Sequence, residues 1–69
     1  MKLNTNNMAR YFLKREATNG MTQFLKKLHP MRWTFDKSQK CYVSSAIADL
    51  VIEAQRKQGT TVVKCLVNS

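Results

Sequence analysis

The stretch from Ser44 to Gly59 restricts the fold more than any other part of the chain. Ser44 or Ser45 can accept hydrogen bonds from the orphan N–H groups of a first helical turn, and Asp49 lies early enough to favour its positive end. Arg56 and Lys57 suit the negative end, and Gly59 can take the left-handed conformation that stops a helix. The spacing predicts a helix over 45–58. Ile47, Leu50, Val51 and Ala54 recur at i, i+3, i+4 and i+7, which marks them as its buried stripe, with Ile52 pointing away as either a flank of the core or a contact for something else.

A strand follows at once. Thr60 to Val67 is rich in β-branched residues. Positions 61, 63, 65 and 67 share one side, so Val63, Cys65 and Val67 are expected to meet the helix. Lys64 then points to the other side, between Val62 and Leu66.

The first half reads in two ways. As helices, 8–17 and 21–28 would be two short amphipathic segments broken at Gly20. As strands they form a hairpin turning at Thr18-Asn19-Gly20, a three-residue loop with Gly20 left-handed. That register pairs Ala17 with Met21, Arg15 with Gln23, Leu13 with Leu25 and Tyr11 with Lys27. One face then carries Tyr11, Leu13, Ala17, Met21 and Leu25, which is usable as core. A two-residue turn at Asn19-Gly20 would set Leu13 against Lys26 and leave neither face clean. The hairpin is therefore preferred.

His29-Pro30 interrupts the chain, and Met31 to Phe35 alternates as a third strand with Met31, Trp33 and Phe35 inward. Asp36 can cap a single turn over 37–40 that delivers Cys41, Tyr42 and Val43 to the main helix. The same segment could instead run as the second arm of a short hairpin with 31–35. The fold class expected is α+β: an antiparallel sheet with one helix packed across it, in the order β-β-β-α-β.

Sixty-nine residues allow one small core, so a single domain is expected over 8–69 behind a flexible lead-in over 1–7. Domains this small bury a modest fraction of their surface and usually need a staple. Cys41 and Cys65 are too few for a disulfide framework, and His29, the single histidine, does not join them at metal-ligand spacing. Both thiols are expected reduced, with no metal and no cofactor. Self-association into a homodimer is then the staple to expect. The longest apolar run, Ala46 to Ile52, is broken by Asp49 and falls far short of a membrane span. The polar N-terminus lacks the apolar stretch of a signal peptide. A cytoplasmic protein with no membrane partner is expected.

Catalysis finds little to work with. His29 stands before a proline, nothing in the sequence brings Cys41 to it, and Asp49 with Glu53 sits on a helix side next to Arg56 and Lys57. Gly20 and Gly59 are the two glycines, too few for a phosphate loop. These residues predict a binding protein and not an enzyme.

Charge indicates the partner. Twelve Lys and Arg against four Asp and Glu leave a net charge of +8. Such an imbalance costs folding free energy by self-repulsion and favours a polyanion or an acidic protein. In the hairpin register the second sheet face carries Arg10, Phe12, Lys14, Phe24 and Lys26, joined by Arg32 and Lys64. Cations interleaved with exposed rings suit single-stranded nucleic acid, since the cations neutralise phosphates and the rings stack bases. A duplex would use the cations alone. Two plain explanations compete: the helical reading, in which Phe12 and Phe24 are ordinary core, and a second subunit covering the face. Lys37 and Lys40 are placed on a connecting turn outside this surface. The helix flank bearing Ile52, Glu53, Arg56 and Lys57 is a third candidate surface, of a kind that is ordinarily just solvated.

The run Tyr11-Phe12-Leu13-Lys14-Arg15, a glycine turn, Phe24-Leu25-Lys26-Lys27, Trp33-Thr34-Phe35-Asp36, a serine-led helix and a closing valine-rich strand together resemble very small phage and prophage accessory proteins. The likeness spans 8–67. That group includes anti-CRISPR proteins and other host-takeover inhibitors, so the resemblance implies an acidic host protein as the alternative partner, met in the host cytoplasm. It assigns no individual residue a role.

Overall fold

The hairpin is set by its turn. In the computed structural model, which describes residues 9–67, β1 (Tyr11–Glu16) and β2 (Thr22–Leu28) pair antiparallel with Arg15 opposite Gln23 and Glu16 opposite Thr22. This is the register that the three-residue loop requires. The N–H of Gly20 donates to the Ala17 carbonyl at 2.9 Å, and that of Ala17 to the Met21 carbonyl at 2.8 Å. Gly20 has φ +84, and a Cβ there would meet only the Glu16 carboxylate at 3.9 Å, an ordinary contact, so backbone conformation and not crowding demands glycine there. The lead-in expected over 1–7 lies outside the described residues.

β3 (Met31–Thr34) follows β2 after His29-Pro30, and β4 (Val62–Leu66) pairs antiparallel with the far side of β1. The sheet order is β3-β2-β1-β4, with one helix, α1 (Ser45–Arg56), on one face. The fold is α+β, as the sequence predicts. Ser44 caps α1 by accepting from the Ile47 N–H at 3.2 Å. Asp36 caps a single 3-10 turn (Lys37–Gln39) by accepting from the Ser38 N–H at 2.9 Å.

The segment after that turn neither pairs with β3 nor merely leads to α1. It wedges between the diverging ends of β1 and β2. The N–H of Cys41 donates to the Leu25 carbonyl at 2.9 Å, while Val43 and Tyr11 exchange two backbone bonds of 2.8 Å. A register shift between Leu25 and Lys27 marks where β2 bends away.

Leu13 and Leu25, both fully buried, anchor the core with Val43, Ala48, Val51 and Val62. Tyr11, Leu28, Trp33, Cys41, Ile47 and Ile52 pack around them. Three expectations are corrected here. First, α1 is rotated from the predicted stripe. Val51 is buried and Ile47 packs on the core as expected, with Ile52 as a flank of it, but the other buried residues are Ala48 and Gln55, whereas Leu50 is 67% exposed and Ala54 is also exposed. Gln55 is drawn inward because its side-chain oxygen accepts from Arg15, whose guanidinium also donates to Gln23 at 3.0 Å and lies 4.1 Å from the Trp33 ring centre. A buried polar residue with half-buried partners therefore outranks an exposed leucine in setting the helix face. Leu50 and Ala54 turn instead to an apolar groove shared with Leu28, His29 and Met31.

Second, β4 presents the opposite face. Its register sets Val62 against Arg15 and Lys64 against Leu13, and residues directly opposite share a side. Val62 is accordingly buried and Val63 is 49% exposed. Third, at the strand ends, Met21, Met31 and Phe35 are exposed and not core, since α1 packs chiefly on β1 and β4; Met31 meets the helix only at its edge, its sulfur accepting from the Gln55 amide at 3.7 Å.

Candidate nucleic-acid interface

The sheet face turned away from α1 is built by strand alternation. On β1 it receives Phe12 and Lys14, on β2 Phe24 and Lys26, and on β4 Val63 and Cys65. Lys14 stands opposite Phe24, and Phe24 opposite Thr34, so these side chains cross three strands in one row. Past the register shift Lys27 pairs with Arg32, which puts both on this face. Arg10 precedes β1, but its carbonyl accepts from the Val67 N–H at 2.9 Å, so the ladder and its alternation extend to it.

Phe12 and Phe24 meet with ring centres 6.2 Å apart and planes inclined at 48°, a tilted pair within the favoured range for aromatic contact. Both are half-buried. Beside them the wedge segment adds two side chains that alternation along 40–42 brings to the same surface. The ammonium of Lys40 lies 5.3 Å from the Phe12 ring centre and 5.5 Å from that of Tyr42. These are cation–π distances, and Tyr42 remains 45% exposed.

Of the predicted binding residues, the structure gathers Arg10, Phe12, Lys14, Phe24, Lys26 and Arg32 on this face. Lys64 is not among them. It points to the helix side, where its ammonium donates to Asp49 at 2.8 Å and to the Ser45 hydroxyl at 2.9 Å and lies 5.2 Å from the Tyr11 ring centre. Its aliphatic stem covers the core while its head reaches the helix surface. Lys40, expected on a turn outside the surface, belongs to it, as do Tyr42 and Lys27. One signal could have found the first two. Phe12 and Lys14, Phe24 and Lys26, and Lys40 and Tyr42 each set an aromatic two positions from a lysine, the spacing that keeps both on one strand face.

Charge is divided unevenly between the two sides. Among the described residues the ion pairs are Glu53 with Arg56 and Asp49 with Lys64, and both lie on the α1 side. The cations around Phe12 and Phe24 have no ion-pair partner among the described residues. Asp36 lies at the rim. Bonds from the Ser38 hydroxyl and N–H, aided by the charge of Lys26, hold its carboxyl below the ordinary range. Cys41 and Cys65 are both free and half-buried, and burial pushes the Cys41 thiol up. Among the described residues there is no cluster of His, Cys, Asp and Glu able to hold a metal ion, and no helix long and apolar enough to cross a membrane.

No family model, curated protein or solved structure matches the chain.

Proposed function

We propose that this chain is a non-catalytic binding protein that takes single-stranded nucleic acid, DNA or RNA, on its helix-free sheet face. The observation that carries the reading is the cluster of Phe12, Phe24 and Tyr42 with Lys40, ringed by Arg10, Lys14, Lys26, Lys27 and Arg32. A base stacking on one of these rings is worth about 1–3 kcal/mol, with little dependence on its identity. Lys40 covers two rings in the free protein, so an entering base displaces its ammonium toward the phosphate that comes with that base. Unmatched cations supply the rest by releasing counterions. The site is a surface, suited to a flexible strand that can splay its bases.

Fluorescence anisotropy with labelled oligothymidylate, an RNA of equal length and a duplex tests this. Single strands should bind more tightly than the duplex, and log affinity should fall linearly with log salt, by about 0.7 per phosphate contacted. Reversing Lys14 and Lys26 to glutamate should flatten that slope, and Phe12→Ala with Phe24→Ala should weaken single strands while sparing duplex. The resemblance to phage accessory proteins supplies a second occupant, an acidic host protein on the same face. A salt-sensitive host complex that survives nuclease, with negligible oligonucleotide binding, would replace the nucleic-acid reading by that one.

A further inference from the structure

The two edges of the sheet are not alike. β3 is four residues long, lies beside the register shift of β2 and carries Arg32. Short length, irregularity and charge are the ordinary guards against edge-to-edge pairing. β4 has none of these. It is regular over Val62–Leu66, and its one charge, Lys64, is drawn over the core to Asp49 and Ser45. What remains at the edge is apolar, with Val63 49% and Leu66 56% exposed.

The backbone is ready for pairing. Val67 donates to Arg10 across the ladder, so the alternate residues Val63 and Cys65 also direct their N–H and C=O groups to β1. Those of Val62, Lys64 and Leu66 are thereby turned outward. We infer that β4 pairs antiparallel with β4 of a second copy of this chain, forming a two-fold dimer with a continuous eight-stranded sheet.

Charge excludes one register, and exposure, greater at Val63 than at the half-buried Cys65, selects between the others. Placing Lys64 on the axis would set two ammonium groups directly opposite each other, which is unfavourable. Placing Val63 on the axis sets Lys64 against Val62 of the second copy and brings the two exposed Val63 side chains together. The helix flank above the edge is also self-complementary. Lys64 reaches Ser45 and Asp49, so this flank of α1 lies beside β4, and Glu53 and Arg56 continue it at helical spacing. A two-fold axis normal to the sheet runs the two helices antiparallel, so that this flank, carrying both signs, faces its own copy. The same axis keeps both basic aromatic faces on one side of the dimer. The pairing does not depend on what those faces bind.

Salt separates this inference from the proposed function. Each copy carries +8, so screening should strengthen self-association while it weakens polyanion binding. Sedimentation over a concentration series should give a mass rising from 8.0 kDa toward twice that value, at lower concentration in high salt. Val63→Lys, at a half-exposed position off the core, should leave circular dichroism unchanged and weaken association by on the order of tenfold or more, because the axis opposes the new charge to itself. In a Cys41→Ser, Cys65→Ser background, Val63→Cys should give a covalent dimer on mild oxidation. A monomer mass at every concentration and salt would overturn the inference. So would a dimer indifferent to Val63→Lys, or one in which Val63→Cys fails to cross-link.

Discussion

Paired substitutions at Val51 and Leu50 test the helix orientation most directly. Val51 is 3% exposed among Leu13, Leu25 and Val62, while its neighbour Leu50 is 67% exposed at the rim of a groove. Val51→Ala removes two buried methyl groups, worth roughly 1.6 kcal/mol of transfer free energy at about 0.8 kcal/mol each. Incomplete collapse around the missing methyls adds about 1 kcal/mol. The better helix propensity of alanine over valine returns roughly 0.5 kcal/mol. The net loss is about 2 kcal/mol. Leu50→Ala removes more atoms, but two-thirds of the side chain already lies in water, so only about 0.5–1 kcal/mol is at stake before a small propensity gain. A chain of this size has a total stability of roughly 3–10 kcal/mol. Thermal melts followed by circular dichroism should therefore place Val51→Ala about 8–16 °C below the parent, and Leu50→Ala within about 5 °C of it. If Leu50→Ala proves the more damaging, α1 buries the Ile47-Leu50-Ala54 stripe, and the packing described above is wrong.

The wedge segment makes Lys40 and Lys37 unequal although only two residues separate them. Lys40→Glu should weaken oligonucleotide binding in the same anisotropy assay by on the order of tenfold, and Lys37→Glu should change it much less, since Lys40 alone of the two lies on the Phe12 and Tyr42 rings. The Asp36 cap should respond to acid in a defined direction. Its carboxyl is held below the ordinary value in the folded chain, so the cap is complete above the unfolded pKa of about 3.9 and is lost as pH falls through the lower folded value. An acid titration by NMR should show Ser38 amide and Asp36 carboxyl shifts moving together below the ordinary aspartate range, and a midpoint at or above that range would contradict the cap.

Local chemistry made several elements legible in the sequence. Gly20 with φ +84 fixes a three-residue loop, that loop fixes the β1–β2 register, and the register alone places Phe12, Lys14, Phe24 and Lys26 together. Ser44 and Asp36 mark their own turns, because a cap bonds to N–H groups two or three residues away. Tertiary structure decided whatever depends on a distant partner. β4 carries apolar residues on both sides, so its pattern has no parity. Only pairing with β1 turns Val62 and Lys64 inward and removes Lys64 from the binding face. The rotation of α1 is set by Gln55 meeting Arg15 forty residues away, an inward polar pair that an apolar stripe cannot reveal. Lys40 and Tyr42 reach the aromatic face because 41–43 hydrogen-bonds between two strands that part at a bulge. Sequence therefore determined what each short segment is, since backbone preference and capping act within a few residues. The fold decided which way α1, β4 and the wedge face, since that depends on partners that only the folded chain brings within reach.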